Sequence, residues 1–190
     1  MRTSGPDTKD RIERAAIAVF VKDGVEGASI RDIAEKAGVS LGALYNHYDH
    51  KVDLARELFL RSWADMGRSL RQRARAHENL ADQLRAMVRY VFESFDENSD
   101  LVTYVYISRH QHLREVKGAV TNPYLVFRVV IVEAMRSGEI PHQDADLATA
   151  MVMGTIVQVM DMKILGRIKP KLSQKVDEVA QAAFRLLGGR

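Results

Sequence analysis

The chain has 190 residues, enough for one domain or for a small module fused to a larger one. Hydrophobic residues make up 46% of it, which allows a substantial core and excludes an intrinsically disordered chain. The lack of cysteine excludes disulfide frameworks, thiolate nucleophiles and zinc sites built on cysteine. A net charge of +3 permits an anionic partner without requiring one.

The first ten residues are polar and lack the apolar segment of a signal peptide, so we expect a cytoplasmic protein. Apolar residues then recur at helical spacing along nearly the whole chain, which predicts an all-α fold. The first helix carries an apolar stripe from Ile12 to Phe20, and Gly24 is expected to end it. The later helices are predicted at residues 51–75, 79–95, 100–116, 123–136, 144–165 and 173–187. Asn122 followed by Pro123 is a typical helix start.

Residues 30–48 predict two short helices joined by a tight turn, the helix-turn-helix arrangement of DNA-binding proteins. Ser29 is expected to cap the first helix, Gly38 to end it with a positive φ, and Ser40 to cap the second. The small Ala34 allows the two helices to approach closely. An ordinary helical hairpin without a DNA role is the alternative.

The second helix of such a pair lies in the major groove with its N-terminal residues toward the bases. Gly42 and Ala43 let the backbone come near, and the next exposed side chains offer hydrogen-bonding groups. Asn46 can read adenine, although each polar group here could instead hold a phosphate. Tyr48 is expected in the core. Lys51 is expected to meet a phosphate.

The segment ASIRDIAEKAGVSLGALYNHYDHKVDLARELF, residues 28–59, resembles the DNA-binding region of the TetR/AcrR family of bacterial repressors. The resemblance implies a helix-turn-helix domain over residues 1–51 and a helical effector-binding and dimerisation domain over residues 52–190. The DNA contacts that it implies are Arg31, Ser40, Gly42, Ala43, Tyr45, Asn46, His47 and Lys51. The family often has other residue types at Leu41, Ala43 and Asn46, which leaves the operator preference open.

The helix predicted over residues 144–165 is apolar on almost all sides, so both of its faces must be covered. Polar residues such as Gln158 and Asp161 interrupt it and argue against a membrane span. A second copy of the chain is the simplest cover, and the resemblance implies a four-helix interface made by the last two helices. The predicted interface residues are Met151, Ile156, Val159, Val176, Ala180, Ala183, Phe184 and Leu187. The helix-turn-helix of residues 30–48 is here called the reading head. A two-fold homodimer would present two reading heads to the two halves of a palindromic operator.

The region between the reading head and the last helices is rich in large side chains. The resemblance implies that a small apolar or amphipathic effector binds there and releases the protein from DNA. The candidate residues are Trp63, Phe92, Phe95, Tyr104, Arg109, His110, Tyr124 and Phe127. Arg109 favours an acidic effector, but it could also pair with Glu115 or Glu133. A plain aromatic core is the alternative.

Six arginines crowd residues 56–75, either as a solvated helix face or, near the reading head, as phosphate contacts. We expect no metal site, since His110 and His112 point to opposite sides of a helix. We also expect no catalytic residue and no cofactor, because phosphate loops, nucleophile elbows and zinc-binding motifs are missing from the sequence. The sequence therefore predicts a DNA-binding transcriptional regulator. An effector-free architectural or partner-recruiting DNA-binding protein of the same fold stays open as an alternative.

Overall fold

The computed structural model describes residues 5–112, 115 and 122–189. These residues form α1 Gly5–Gly27, α2 Ile30–Ala37, α3 Leu41–Tyr45, α4 Lys51–Arg75, α5 Leu80–Glu97, α6 Ser99–His112, α7 Pro123–Ser137, α8 Ala145–Ile164 and α9 Val176–Leu186. A short 3₁₀ helix, Leu172–Lys175, precedes α9. The described part of the chain contains no strand, and the prediction of an all-α fold is confirmed.

Helix boundaries follow the local signals that predicted them. Gly24 has a φ of 70° and interrupts α1, which resumes for a last turn up to Gly27. The Asn122 side chain accepts a hydrogen bond from the Tyr124 backbone N–H at 3.0 Å, with Pro123 in the first turn. These caps satisfy backbone N–H groups that have no partner inside the helix. The predicted end of the helix over residues 100–116 lies outside the described residues.

The chain divides into two compact units. The first comprises Met1–Ser62 and Ser99–Glu115, and the second comprises Trp63–Asn98 and Val116–Arg190. The expected boundary between residues 51 and 52 does not coincide with this division, since the start of α4 and all of α6 belong to the first unit. The first turns of α4 bury Leu54 and Leu58 completely, which explains why they stay with the reading head.

In the first unit, α6 packs against α1 and completes the core behind the reading head. The ring of Tyr104 on α6 stacks on Phe20 of α1 with the ring centroids 5.8 Å apart. Its hydroxyl donates to the carbonyl of Ala55 on α4 at 2.5 Å. Burial raises the pKa of Tyr104 to about 12, partly offset by a hydrogen bond with Ser108. Tyr104 is therefore a core residue that ties α6 to α1 and α4.

In the second unit, α9 packs most closely against α5, and α8 packs against α7 and α9. Within one protomer, this packing already covers several residues of the predicted dimer interface. Residues buried to an exposure of 4% or less within the protomer are Ile156, Val176, Ala180, Ala183 and Leu187. Small residues such as Ala180 and Ala183 let α9 approach α5, so the small-residue stripe serves packing inside the chain. Met151, Val159 and Phe184 stay half-buried.

Helix α8 has an apolar face that its own unit leaves uncovered. Leu147, Ile164 and Leu165 are 61%, 51% and 65% exposed. Gly154 lies on the same side of the helix, and a Cβ atom added to it would meet no atom within 4 Å. By length and a mean hydropathy of 1.3, α8 resembles a membrane-crossing helix, but core helices of soluble proteins can have the same length and hydropathy. Only 28% of its most apolar window is buried.

Candidate nucleic-acid interface and effector region

The turn between α2 and α3 is built from caps on both sides. Ser29 caps α2 by accepting from the Arg31 backbone N–H at 3.1 Å. Gly38 ends α2 with a φ of 63°, and the Val39 N–H returns to the carbonyl of Ala34 at 3.0 Å. This pairing of the residue after the glycine with the last helical turn is a Schellman motif. It closes the turn in two residues and sets the angle between α2 and α3.

Arg11 on α1 fixes the position of this turn. Its guanidinium donates to the carbonyls of Ala37 and Gly38 at 2.6 and 2.7 Å, where the end of α2 carries partial negative charge. A Cβ atom on residue 38 would lie 2.7 Å from the same guanidinium. Glycine at residue 38 is therefore favoured by its positive φ, and a side chain there would also displace the end of the Arg11 side chain. Sequence reasoning did not find Arg11, because its two acceptors lie 26 and 27 residues away.

Exposed polar residues flank both ends of helix α3. Ser40 caps it by accepting from the Ala43 N–H at 3.1 Å, and Leu44 anchors it in the core. Tyr45 is 51% exposed, although aromatic side chains are usually buried. The predicted contact residues that are exposed here are Arg31, Ser40, Gly42, Tyr45, Asn46 and His47, with Ala43 half-buried. All of them except Ala43 are thus exposed in the first unit.

Gly42 has no internal reason to be glycine. Its φ is not in the left-handed region, and an added Cβ would meet only the Ser40 hydroxyl, at 4.0 Å. Glycine inside a helix costs about 0.5–1 kcal/mol relative to alanine. The missing side chain is therefore best explained by something that approaches α3 from outside.

Lys51 has hydrogen-bond partners within the protein. Its ammonium group donates to the backbone carbonyls of Glu26 and Ala28 at 2.6 and 2.8 Å. Glu26 lies in the last turn of α1 and Ala28 in the link before α2, so Lys51 holds the end of α1 and this link to the start of α4. A lysine ammonium has three donors. A phosphate contact by Lys51 would have to use the third.

Glu13 on α1 is the centre of a buried polar cluster that the sequence did not reveal. It is 8% exposed and accepts hydrogen bonds from the Tyr48 hydroxyl at 2.8 Å and from Arg61 Nη1 at 3.0 Å. Burial by itself raises the pKa of Glu13. The hydrogen bonds from Arg61 and Tyr48 and the positive charges of Arg61 and Lys9 outweigh burial together, so the pKa lies below its ordinary value. The carboxylate therefore stays ionised. The signal in the sequence was a single glutamate in line with Ile17 and Phe20 on the apolar face of α1.

The predicted effector residues are divided between the two units. Tyr104, Arg109 and His110 lie on α6 in the first unit, whereas the other five residues lie in the second. The Arg109 guanidinium stacks over the Tyr106 ring at 3.6 Å and donates to the Tyr106 carbonyl. Glu115 binds Arg56 and His112.

The remaining predicted effector residues behave as core or surface residues of the second unit. Its buried aromatic side chains are Trp63, Phe92, Phe95 and Phe127. Tyr124 is half-buried, and its hydroxyl donates to Asp146 at 3.1 Å. This hydrogen bond ties the first turn of α7 to the first turn of α8.

A groove of about 390 Å³ lies in the second unit between α4, α5 and α7. That volume is in the range of ligand sites. Val126, Val129 and Val130 form an apolar wall, and Arg71 and Arg75 place two guanidinium groups at the lining. Gln83 and Glu133 complete the polar part. In the sequence, both arginines are recognisable only as members of a basic stretch. The valines show only the spacing of apolar residues in a helix, which does not indicate a groove.

Residues 12–58 match the family model described as bacterial regulatory proteins, tetR family. The match covers α2, α3 and the parts of α1 and α4 that enclose them. Over most of the chain, the sequence is similar to the fatty acid metabolism regulator protein of Bacillus subtilis strain 168. The two are 27% identical over 173 residues, which is 87% of this chain and 85% of that protein.

Solved structures share the fold. The fatty acid degradation regulator FadR of Bacillus halodurans superposes with a TM-score of 0.76 at 22% identity and covers 95% of this chain and 98% of its own. The transcriptional regulator FadR of Bacillus subtilis in complex with stearoyl-CoA superposes with a TM-score of 0.73 at 20% identity, again over 95% and 98% of the two chains.

Proposed function

We propose that the chain, whose residues 12–58 match the tetR family of bacterial regulatory proteins, is a DNA-binding transcriptional regulator of that family. It would act as a repressor that a small effector releases from DNA. The observation that carries DNA binding is the exposed face of α3, with Gly42 open to solvent and Tyr45 projecting from it. A bacterial regulator of this kind would act in the cytoplasm, because the DNA of the cell is there.

The repressor would bind a palindromic operator as a homodimer, because two identical heads related by a two-fold axis read two identical half-sites. The uncovered apolar face of α8 supports this assembly. Leu147, Ile164 and Leu165 would leave water on contact with a second copy, and Gly154 would let the two α8 helices approach closely. This interface uses the outer side of α8 and leaves the buried face of α9 inside each protomer.

The effector that fits best is a long-chain acyl thioester of coenzyme A. Two observations support it: a relative over most of the chain is a fatty acid metabolism regulator, and a protein of the same fold binds stearoyl-CoA. The groove lined by Arg71, Arg75 and valines has the matching chemistry, apolar wall for an acyl chain and guanidinium groups for phosphates. Arg109 has no part in this proposal.

The test begins with selection of duplexes from a random DNA pool by the purified protein. We expect a palindromic consensus and an affinity that falls steeply with salt, because bound phosphates release counterions. Stearoyl-CoA should then lower operator affinity by roughly 5- to 150-fold, the range of ordinary allosteric coupling. Stearate and free coenzyme A are the matched controls, since each has only half of the proposed ligand.

Substitution of both groove arginines, Arg71→Ala with Arg75→Ala, should weaken release by stearoyl-CoA while operator affinity without ligand stays unchanged. Arg68→Ala is the control, since Arg68 lies on the same helix and pairs with Asp65. Enrichment of no duplex would contradict the DNA-binding function. A selected operator that no acyl-CoA releases would favour the effector-free alternative.

A further inference from the structure

We propose that Glu13, Tyr48 and Arg61 form a clamp, here called the Glu13 clamp, that positions α3 for DNA reading. The clamp rests on the proposed DNA-binding function, but its residues lie behind the reading face and are positioning residues. None of them belongs to the contacts that the family resemblance implied. The geometry predicts that DNA affinity depends on the clamp even in a fully folded protein.

Both oxygens of the Glu13 carboxylate are used. Oε1 accepts from the Tyr48 hydroxyl at 2.8 Å and from Arg61 Nη1 at 3.0 Å, while Oε2 accepts from Arg61 Nη2. The two Arg61 bonds make a bidentate pair, the geometry in which arginine and carboxylate bind most strongly and with the most fixed orientation. The Tyr48 hydroxyl is therefore held at a defined distance from α1 and α4 together.

The three residues come from the three segments that must be kept in register. Glu13 lies in the middle of α1, and Tyr48 follows the end of α3, where its N–H donates to the Leu44 carbonyl at 3.0 Å. Arg61 lies on α4 next to Ser62, the last residue of that helix in the first unit. The clamp thus joins the segment that follows α3 to the last residues of α4 that belong to the first unit.

Helix α3 needs such support because it is short. It spans only Leu41–Tyr45, and α2 is the one helix that approaches its backbone closely along several residues within the described chain. Isolated helices of this length are unstable in water. Functional groups must be held within about 0.5 Å of their working position, which requires supporting side chains locked by hydrogen bonds. The Ser40 cap holds the first turn of α3, and the clamp holds the end.

Neighbouring charges keep the clamp ionised. Lys9 lies 3.9 Å from Glu13 and 3.0 Å from Glu57, and its ammonium group stands 5.6 Å from the centre of the Tyr48 ring. The lysine adds positive charge next to the buried carboxylate, while Glu57 balances it from α4. A buried carboxylate that loses one hydrogen-bonding partner keeps its full desolvation cost, so each partner of Glu13 matters.

Tyr48→Phe is the sharpest test, because it removes one hydroxyl and keeps the ring in its buried site. We expect operator affinity to fall by about tenfold, the loss expected for a hydrogen bond to a charged group. Arg61→Met should have at least the same effect, and Arg61→Lys should restore part of the affinity by donating to one oxygen. Arg68→Met, on the same helix and also removing a carboxylate partner, should leave affinity unchanged.

Affinities are measured on duplex selected by the unmodified protein, well below the melting temperature, and corrected for the active fraction by stoichiometric titration. A purely structural role would lower the melting temperature but leave the corrected affinity unchanged, which would overturn the proposal. The salt slope separates positioning from a direct phosphate contact. A slope reduced by about 0.9 in Arg61→Met would mean that Arg61 itself binds a phosphate and would also overturn it.

Hydrogen–deuterium exchange of the free protein supplies a readout that needs no DNA. In Tyr48→Phe, the peptide covering residues 39–48 should exchange faster, while peptides from α6 keep their protection. Unchanged exchange in residues 39–48 would contradict the clamp whatever the DNA result. If the unmodified protein selected no duplex, the proposed function would fail, and the exchange experiment would still decide the clamp.

Discussion

Gly42 shows at the scale of a single residue how binding and stability oppose each other. Its position in α3 could hold alanine without a clash, yet the chain has glycine, which favours a helix less than any residue except proline. Ser40, two residues earlier, works in the opposite direction, because its cap stabilises α3 directly. Gly42 thus leaves open space on the surface of α3, and the stability of the helix comes from the cap and from Leu44.

Gly42→Ala should therefore raise the free energy of unfolding by a few tenths to about 1 kcal/mol and weaken operator binding at the same time. The added methyl group stabilises the helix but occupies the space needed for close contact with DNA. Urea unfolding and an operator titration measure the two effects. Gln72→Ala, which also adds a better helix former at an exposed helical position but lies in the second unit, is the control and should leave DNA affinity unchanged. Unchanged operator affinity in Gly42→Ala would mean that DNA does not approach α3 at this residue.

At the scale of elements, the reading head is held together by long side chains that reach backbone carbonyls. Arg11 of α1 binds the end of α2, and Lys51 of α4 binds the end of α1 and the link that follows it. In both cases a cation meets carbonyl groups that have no partner in their own helix. The joints between elements are therefore set by charge-assisted hydrogen bonds as well as by apolar packing.

Lys51→Met should lower the free energy of unfolding by roughly 1–3 kcal/mol, because two backbone carbonyls lose a charged donor. Lys36→Met removes the same charge from an exposed position in α2 and serves as the control. Denaturant unfolding at neutral pH compares the two variants. Equal stability of both, with operator affinity lost only in Lys51→Met, would show that Lys51 acts as a phosphate contact and not as a link between elements.

At the scale of the whole molecule, the two faces of the last helices have different tasks. The stripe through Val176, Ala180 and Ala183 completes the core of one protomer. The outer side of α8, with Leu147 and Gly154, is the surface proposed to meet a second copy. A substitution on the outer side of α8 should therefore disrupt the dimer, whereas one on the buried face of α9 should disrupt the fold of the protomer.

Gly154→Arg should give a folded monomer, because its side chain enters open space in the protomer but places a charge in the proposed interface. Ala183→Arg should instead unfold the protomer, since it forces an unpaired charge into a site with no exposure, at a cost of several kcal/mol. Sedimentation velocity and circular dichroism separate the two results. A dimer of undiminished stability in Gly154→Arg, or a monomeric unmodified protein, would refute the assembly through α8.

The sequence by itself determined the helices, their caps and the turn of the reading head. Ser29, Ser40 and Asn122 each cap a helix whose first N–H groups lie two or three residues away, and Gly38 ends α2 through its own φ. Signals of this kind depend on neighbours within one helical turn, so they are legible before any tertiary contact is known. The buried position of Tyr48 followed in the same way from helical periodicity.

Tertiary structure alone decided which neighbour each helical face meets. Periodicity marks the apolar stripe of α9 but cannot say whether α5 of the same chain or a second copy covers it, because both offer the same hydrophobic stabilisation. It also cannot pair Glu13 with Arg61, which is 48 residues away, or Lys51 with the Glu26 carbonyl, 25 residues away. Such contacts depend on the path of the whole chain, and they hold the reading head in position.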